Sequence, residues 1–177
     1  MIILPTTYMG SVEWYRQFWA NPSAVQIEVM ESFPKQTYRN RCTITTPDGP
    51  LTLSVPVKRA DSKQLTRDVE ISYQQRWKHQ HWIALVSAYK RTPYFDYYAD
   101  FFRPFYEQET RFLVDFNEKI HEVIHQLIHN SEFKIQNSKF TTDWQGLDLE
   151  PCFGNGQSIL DLLFEYGPET AIIIQNS

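Results

Sequence analysis

The chain has 177 residues, with 42% hydrophobic and 21% charged residues and a formal net charge of −4, the size and usage of one globular domain, which excludes a disordered or fibrous chain. Met1-Ile2-Ile3-Leu4-Pro5 carries no cationic lead, so no signal peptide is expected, and no apolar run nears the roughly 20 residues of a bilayer span, which predicts a cytoplasmic protein with no membrane span. Cys42 and Cys152 lie far apart and outside any Cys-x-x-Cys pair, which points away from a disulfide framework and from a thiolate metal site.

In chain order, Ile2 to Leu4 reads as a short buried strand, followed by a Pro-Thr-Thr loop and a helix across Glu13 to Trp19. Asn21-Pro22 stops that helix, because the residue before proline is pushed out of the helical region. Ala24 to Met30 alternates Val25, Ile27 and Val29 with Gln26 and Glu28, the period of a strand. Arg41 to Thr46 and Leu51 to Val57 flank Pro47-Asp48-Gly49-Pro50, whose turn chemistry predicts a hairpin. Asp68 to Tyr73 alternates again and is expected to be a further strand.

The second half changes character. Trp77 to Arg91 and Arg111 to His129 lack Gly and Pro and repeat apolar residues near helical spacing. Between them, Tyr94 to Tyr106 holds eight aromatics in thirteen residues. Ser158, three positions before Asp161, suggests a capping-box start to a helix over Ile159 to Phe164 that Gly167-Pro168 ends, and Ala171 to Ile174 reads as a last short strand. The expected fold is α/β, with a mixed, partly antiparallel sheet under helical cover and a helix-rich second half, in one domain over residues 1–177.

The charge is unevenly spread. Lys35 to Arg91 carries eleven Lys and Arg against four acids, a local balance of +7, and the remainder of the chain is at −11. A basic middle within an acidic chain argues against general nucleic-acid coating and for one localised anion site. Lys35, Arg39, Asn40 and Arg41 lie just before a strand, and Lys58 and Arg59 follow the next one, at strand ends where open sheets place ligands. In extended structure Arg39 and Arg41 point one way and Asn40 the other. His81, near the start of a helix, is the candidate acid or base, and Tyr94 and Tyr97 in the aromatic block are candidates for stacking on a ring.

His121-Glu122-Val123-Ile124-His125 has the His-Glu-x-x-His spacing of a zinc hydrolase helix. Lys119 beside it and the lack of a downstream third-ligand motif weigh against zinc, and a solvated polar face opposite Ile120, Val123, Ile124 and Leu127 accounts for the same residues. No phosphate loop and no Gly-x-Ser-x-Gly elbow is present, and no metal or cofactor is expected.

Leu4-Pro5-Thr6-Thr7-Tyr8, Lys35 to Arg41, Leu53-Ser54-Val55-Pro56-Val57-Lys58, Gln80-His81-Trp82, Ser87-Ala88-Tyr89 and Pro93 to Tyr98 together resemble the WbqC-like family. That resemblance implies a bacterial protein of O-antigen and surface-polysaccharide gene clusters. A transferase follows as the expectation, with Lys35, Arg39, Asn40, Arg41 and Lys58 holding a nucleotide sugar or sugar phosphate, Tyr94 and Tyr97 stacking on it, and His81 as acid or base. The alternative is a non-catalytic binding or assembly protein of the same pathway, forming a homo-oligomer or hetero-complex through its aromatic surface.

Overall fold

The computed structural model describes residues 1–58, 61, 63–130 and 147–177. Arg59, grouped above with Lys58, lies outside them.

Strand β1 (Ile2–Pro5) pairs in parallel with β2 (Val25–Glu28), and helix α1 (Val12–Ala20) lies between them in sequence. Ser11 starts α1 by accepting the Trp14 N–H at 3.1 Å, one of the four amides a helix start leaves unmet. A 3-10 turn at Pro22–Ala24 ends it where Asn21-Pro22 predicts. The expected hairpin forms from β3 (Arg41–Thr46) and β4 (Gly49–Ser54) in antiparallel register, with Ile44 opposite Leu51. Its turn is two residues tighter than the sequence reading, because Gly49 takes φ +113° and already pairs with Thr46.

Helices dominate thereafter. In α2 (Trp77–Tyr89) the buried residues Trp77, His81, Leu85 and Tyr89 recur every fourth position and form one inward stripe. Next come α3 (Phe95–Glu107), α4 (Leu113–His129), α5 (Leu160–Tyr166) and α6 (Thr170–Asn176). The mixed α/β class with a helix-rich second half holds, with parallel and antiparallel pairing divided between two two-stranded sheets. Trp14, Phe18, Leu85, Phe102, Phe116, Ile124 and Leu163, from five different helices, are all nearly sealed from solvent and join one core with both sheets.

Three local readings change. Asp68 to Tyr73 is a 3-10 turn at Thr66–Asp68 followed by an extended stretch that bonds neighbours on both sides for only one rung each, Val57 with Ile71 and Glu70 with Phe112. Ala171 to Ile174 is helical, since a four-residue apolar run has no period to distinguish strand from helix. Thr170, Ala171 and Ile174 turn inward there, and the Thr170 hydroxyl donates to the Gly167 carbonyl at 2.7 Å. Ser158 serves two segments, donating to the Met9 carbonyl at 2.7 Å and accepting the Leu160 N–H at 3.2 Å. Asp161 does not close a capping box: it accepts from the Tyr89 hydroxyl at 2.5 Å and from the Thr45 amide and hydroxyl.

The loop after β1 is fastened at several points. The Tyr8 amide and the Thr7 hydroxyl both donate to the Tyr38 carbonyl, and the Gly10 carbonyl accepts from Ile159 at 2.8 Å. Gly156 gives Tyr38 its place, because a Cβ there would fall 1.9 Å from the Tyr38 ring. These contacts fix Thr6, Thr7 and Tyr8 at the carboxyl end of a parallel strand pair.

Candidate functional site

The basic segment does not converge on one ligand position. Arg39 is only 2% exposed, and its guanidinium is occupied by Glu31 at 2.5 Å, Glu150 at 2.6 Å and the Thr37 hydroxyl at 3.1 Å, over the face of Phe153. It is a buried structural cation joining three segments. Burial holds the Glu31 carboxyl above its ordinary pKa even beside Arg39. Asn40 is buried and donates to the Val55 carbonyl at 2.9 Å, which locks the approach to the hairpin. Lys35 is exposed, and Lys58 pairs with Glu70 at 3.1 Å, a carboxylate that Arg111 also holds. Arg41 keeps a buried Nε without an acceptor.

His81 lies inside the protein, 5% exposed, at one end of a chain of two buried tyrosines. Its Nδ1 is 2.9 Å from the Tyr8 hydroxyl, which is 2.7 Å from the Tyr106 hydroxyl. Burial lowers the imidazole pKa to about 4, against a smaller opposing effect of the Ser54 backbone carbonyl. Burial raises both phenols, so at neutral pH all three groups are uncharged.

With Nδ1 as the acceptor the bonds run one way: Tyr8 donates to His81 and Tyr106 donates to Tyr8. The Tyr106 hydroxyl, like that of Tyr8, is buried.

Beside Tyr106 is a groove of about 440 Å3 between α2 and the carboxyl end of α3, lined by Tyr73, Trp82 and Tyr106 as its aromatic surface. Its charged lining holds Arg76, Lys78 and Arg103 with His79, against Glu107 and Glu109. The Arg103 guanidinium lies over Trp82, 5.5 Å from the ring centre, and the Lys78 ammonium over Tyr73 at 5.1 Å. Lys78 is also 3.9 Å from Glu109, and Arg103 is 3.9 Å from Asp100, both separations long enough to yield to a stronger anion. Such a groove can hold an anion beside a ring.

Tyr94 and Tyr97 are at the other end of α3. Tyr94 packs on Gly167, and Tyr97 is 74% exposed with its ring centre 6.5 Å from that of Tyr94. Nine residues separate Tyr97 from Tyr106, about 14 Å along a helix, so one small ring cannot touch both.

The His121 region is not a solvated face. His121 and His125 are both buried against the aromatic side of α1, with the His121 ring 4.5 Å from Phe18 and 5.0 Å from Trp14, centre to centre. Their Nδ1 atoms face the Tyr15 hydroxyl at 2.9 Å and the Trp19 indole N–H at 3.3 Å. Burial lowers the His121 pKa to about 3 and that of His125 to about 4. Among the described residues no group of three or more His, Cys, Asp and Glu is placed to hold a metal ion.

The groove residues Arg76, Lys78, Trp82, Arg103 and Tyr106 and the relay residue Tyr8 were not singled out by sequence reasoning. A signal existed for two of them: Trp82 and Arg103 are on the outward or flanking sides of their helices, whereas Tyr106 continues the inward stripe of Phe95, Tyr98, Ala99 and Phe102 in α3. No curated protein and no solved structure matches the chain. A family model does match residues 24–148, a span that includes the whole groove, β3, β4 and His81. With most of its length inside that match, the chain belongs to the WbqC-like protein family.

Proposed function

We propose that this protein is a transferase of bacterial surface-polysaccharide (O-antigen) biosynthesis that takes an anionic sugar intermediate, nucleotide-linked or phosphorylated, in the groove between α2 and α3. The observation that carries the reading is the meeting, in one groove, of cations poised over aromatic rings with Tyr106, whose hydroxyl begins the Tyr106–Tyr8–His81 chain. Arg76, Lys78 and Arg103 take the phosphate, Trp82 lies under a sugar or base ring, and the Tyr106 oxygen accepts a substrate hydroxyl.

In this reading His81 acts through the tyrosines. As an acceptor hydroxyl attacks the sugar carbon, the bond from that carbon to the phosphate oxygen breaks and the phosphate leaves onto Arg76, Lys78 and Arg103. The hydroxyl proton passes to the Tyr106 oxygen, the Tyr106 proton moves to Tyr8 and the Tyr8 proton to Nδ1, and the imidazolium then gives a proton back along the chain to the departed phosphate. The lowered pKa of His81 makes its charged state transient. Lys35, Arg41, Lys58 and Tyr97 do not line this groove. A thermal-shift screen with nucleoside diphosphate sugars and hexose phosphates tests the proposal: saturable stabilisation by at least one is expected, and none by any would refute it.

A non-catalytic assembly role draws on a different feature. Leu51, 40% exposed, and Ile83, 52% exposed, line an open groove between the hairpin turn and α2. Light scattering separates the two readings, because self-association lost on Ile83→Glu supports assembly and a monomer with intact ligand stabilisation supports the transferase.

A further inference from the structure

One wall of the α2–α3 groove is a strip of side chains from α2 and its entry, Arg76, Lys78, His79 and Trp82. With about 100° of turn per residue, His79 falls between Arg76 and Trp82, roughly one helical turn from each. Its neighbour His81 belongs instead to the buried stripe of the same helix.

The other members of the strip are engaged. Lys78 lies over Tyr73, and Trp82 lies under Arg103. His79 is exposed, and among the described residues it has no hydrogen bond, ion pair or ring contact. Both of its ring nitrogens are therefore open to a ligand in the groove.

Histidine is the side chain whose charge changes in the neutral range, so the charges facing it decide whether it holds a proton. Arg76 and Lys78 of α2, Arg103 and Glu107 of α3, and Glu109 just beyond α3 face the same groove. Tyr73 and Tyr106 add no charge, because burial raises both phenols. Three cations against two carboxylates leave a surplus of one positive charge, which opposes an imidazolium in the empty groove. The paired negative charges of a sugar pyrophosphate reverse that surplus and favour the imidazolium. An uncharged sugar leaves it unchanged.

We infer that His79 is a phosphate-binding residue of this groove and takes up a proton when the ligand binds, so that affinity for a sugar pyrophosphate rises as pH falls through the neutral range. This rests on the groove reading above and adds to it a contact that responds to pH. Arg76, Lys78 and Arg103 supply the fixed attraction, and His79 supplies one that the ligand itself switches on.

Isothermal titration of UDP-glucose into the whole chain, in buffers of different ionisation enthalpy, tests it, because the observed heat then counts the protons exchanged with the buffer. Both phosphates of this probe keep their charge across the neutral range, so any uptake belongs to the protein. A tenfold gain in imidazole proton affinity on binding gives an uptake of about half a proton near pH 7 and binding about fivefold weaker at pH 8 than at pH 6. His79→Gln, at an exposed side chain, is expected to remove both effects and to keep a weaker, pH-independent affinity. Uptake that persists in His79→Gln, uptake lost in His81→Gln instead, or wild-type binding with no pH dependence would each overturn the inference and leave the groove reading standing. Failure of UDP-glucose to bind at either pH would also overturn it, and the groove reading falls with it only if the other nucleotide sugars and the hexose phosphates give no stabilisation.

Discussion

His81 and His121 are built alike and placed to different ends. Each is 5% exposed, belongs to the inward stripe of a helix, and has Nδ1 at 2.9 Å from a buried tyrosine hydroxyl, Tyr8 in one case and Tyr15 in the other. Both rings are kept neutral by burial, with pKa values lowered to about 4 and about 3. They differ at the second nitrogen and beyond the tyrosine. The Ser54 backbone favours protonation of His81, and Tyr8 continues to Tyr106, whose ring lines the groove. Among the described residues Tyr15 has no further hydrogen-bond partner, and the second nitrogen of His121 is buried without one beside a small cavity. The same histidine–tyrosine pair thus serves as the inner end of a proposed relay in one place and as a closed pair in the core in the other.

Removing the tyrosines separates the two pairs most strongly. Tyr8→Phe leaves the His81 nitrogen and the Tyr106 hydroxyl each without a partner, at about 1–3 kcal/mol for each orphaned group, so a loss of about 2–6 kcal/mol is expected in urea denaturation. Tyr15→Phe orphans one group and should lose about 1–3 kcal/mol by the same measurement. Equal losses in the two variants would mean that the Tyr8–Tyr106 bond contributes nothing.

Acid probes both histidines together. Each binds its proton more readily unfolded, near pH 6.5, than folded, near pH 4 or 3, so the unfolded state holds more protons in that window. Stability contributed by the neutral rings is complete above about pH 6.5 and falls as pH drops through the folded values, by about 1.4 kcal/mol per pH unit for each ring. Denaturation series from pH 7 to pH 4 should show this slope, reduced by one ring's share in His81→Gln and again in His81→Gln/His121→Gln. A slope unchanged by both substitutions would show that neither ring is buried neutral.

The smallest effect on folding is expected at the groove. Tyr106→Phe removes one donor and leaves the Tyr8–His81 bond in place, for a loss of about 0.5–1.5 kcal/mol. Ligand binding should nonetheless fall, because the proposed relay loses the hydroxyl nearest the groove. A variant that folds and binds as wild type does would detach the relay from the site.

Local chemistry was readable in the sequence and long-range pairing was not. The hairpin, α1, α2 and α4 follow from turn residues and apolar period. His81 could be picked as a titratable group beside Trp77 and Trp82, yet its partners are 73 residues away at Tyr8 and, through it, at Tyr106. Arg39 looked free because the approach of Glu31 depends on the turn between β2 and β3 and its second carboxylate partner, Glu150, is 111 positions distant. His121 and His125 read as a polar face because imidazole counts as polar, and only the aromatic side of α1 shows that they are core. Ala171 to Ile174 was misread for want of length.

The central claim, that the α2–α3 groove and not the Lys35–Arg41 segment binds an anionic sugar, is tested most directly by isothermal titration of a nucleoside diphosphate sugar into wild-type protein, Arg103→Gln and Lys35→Gln. Saturable binding to wild type, weakened tenfold or more by Arg103→Gln and unchanged by Lys35→Gln, is the predicted result. Binding that survives Arg103→Gln and is lost in Lys35→Gln would contradict it and return the site to the segment before β3.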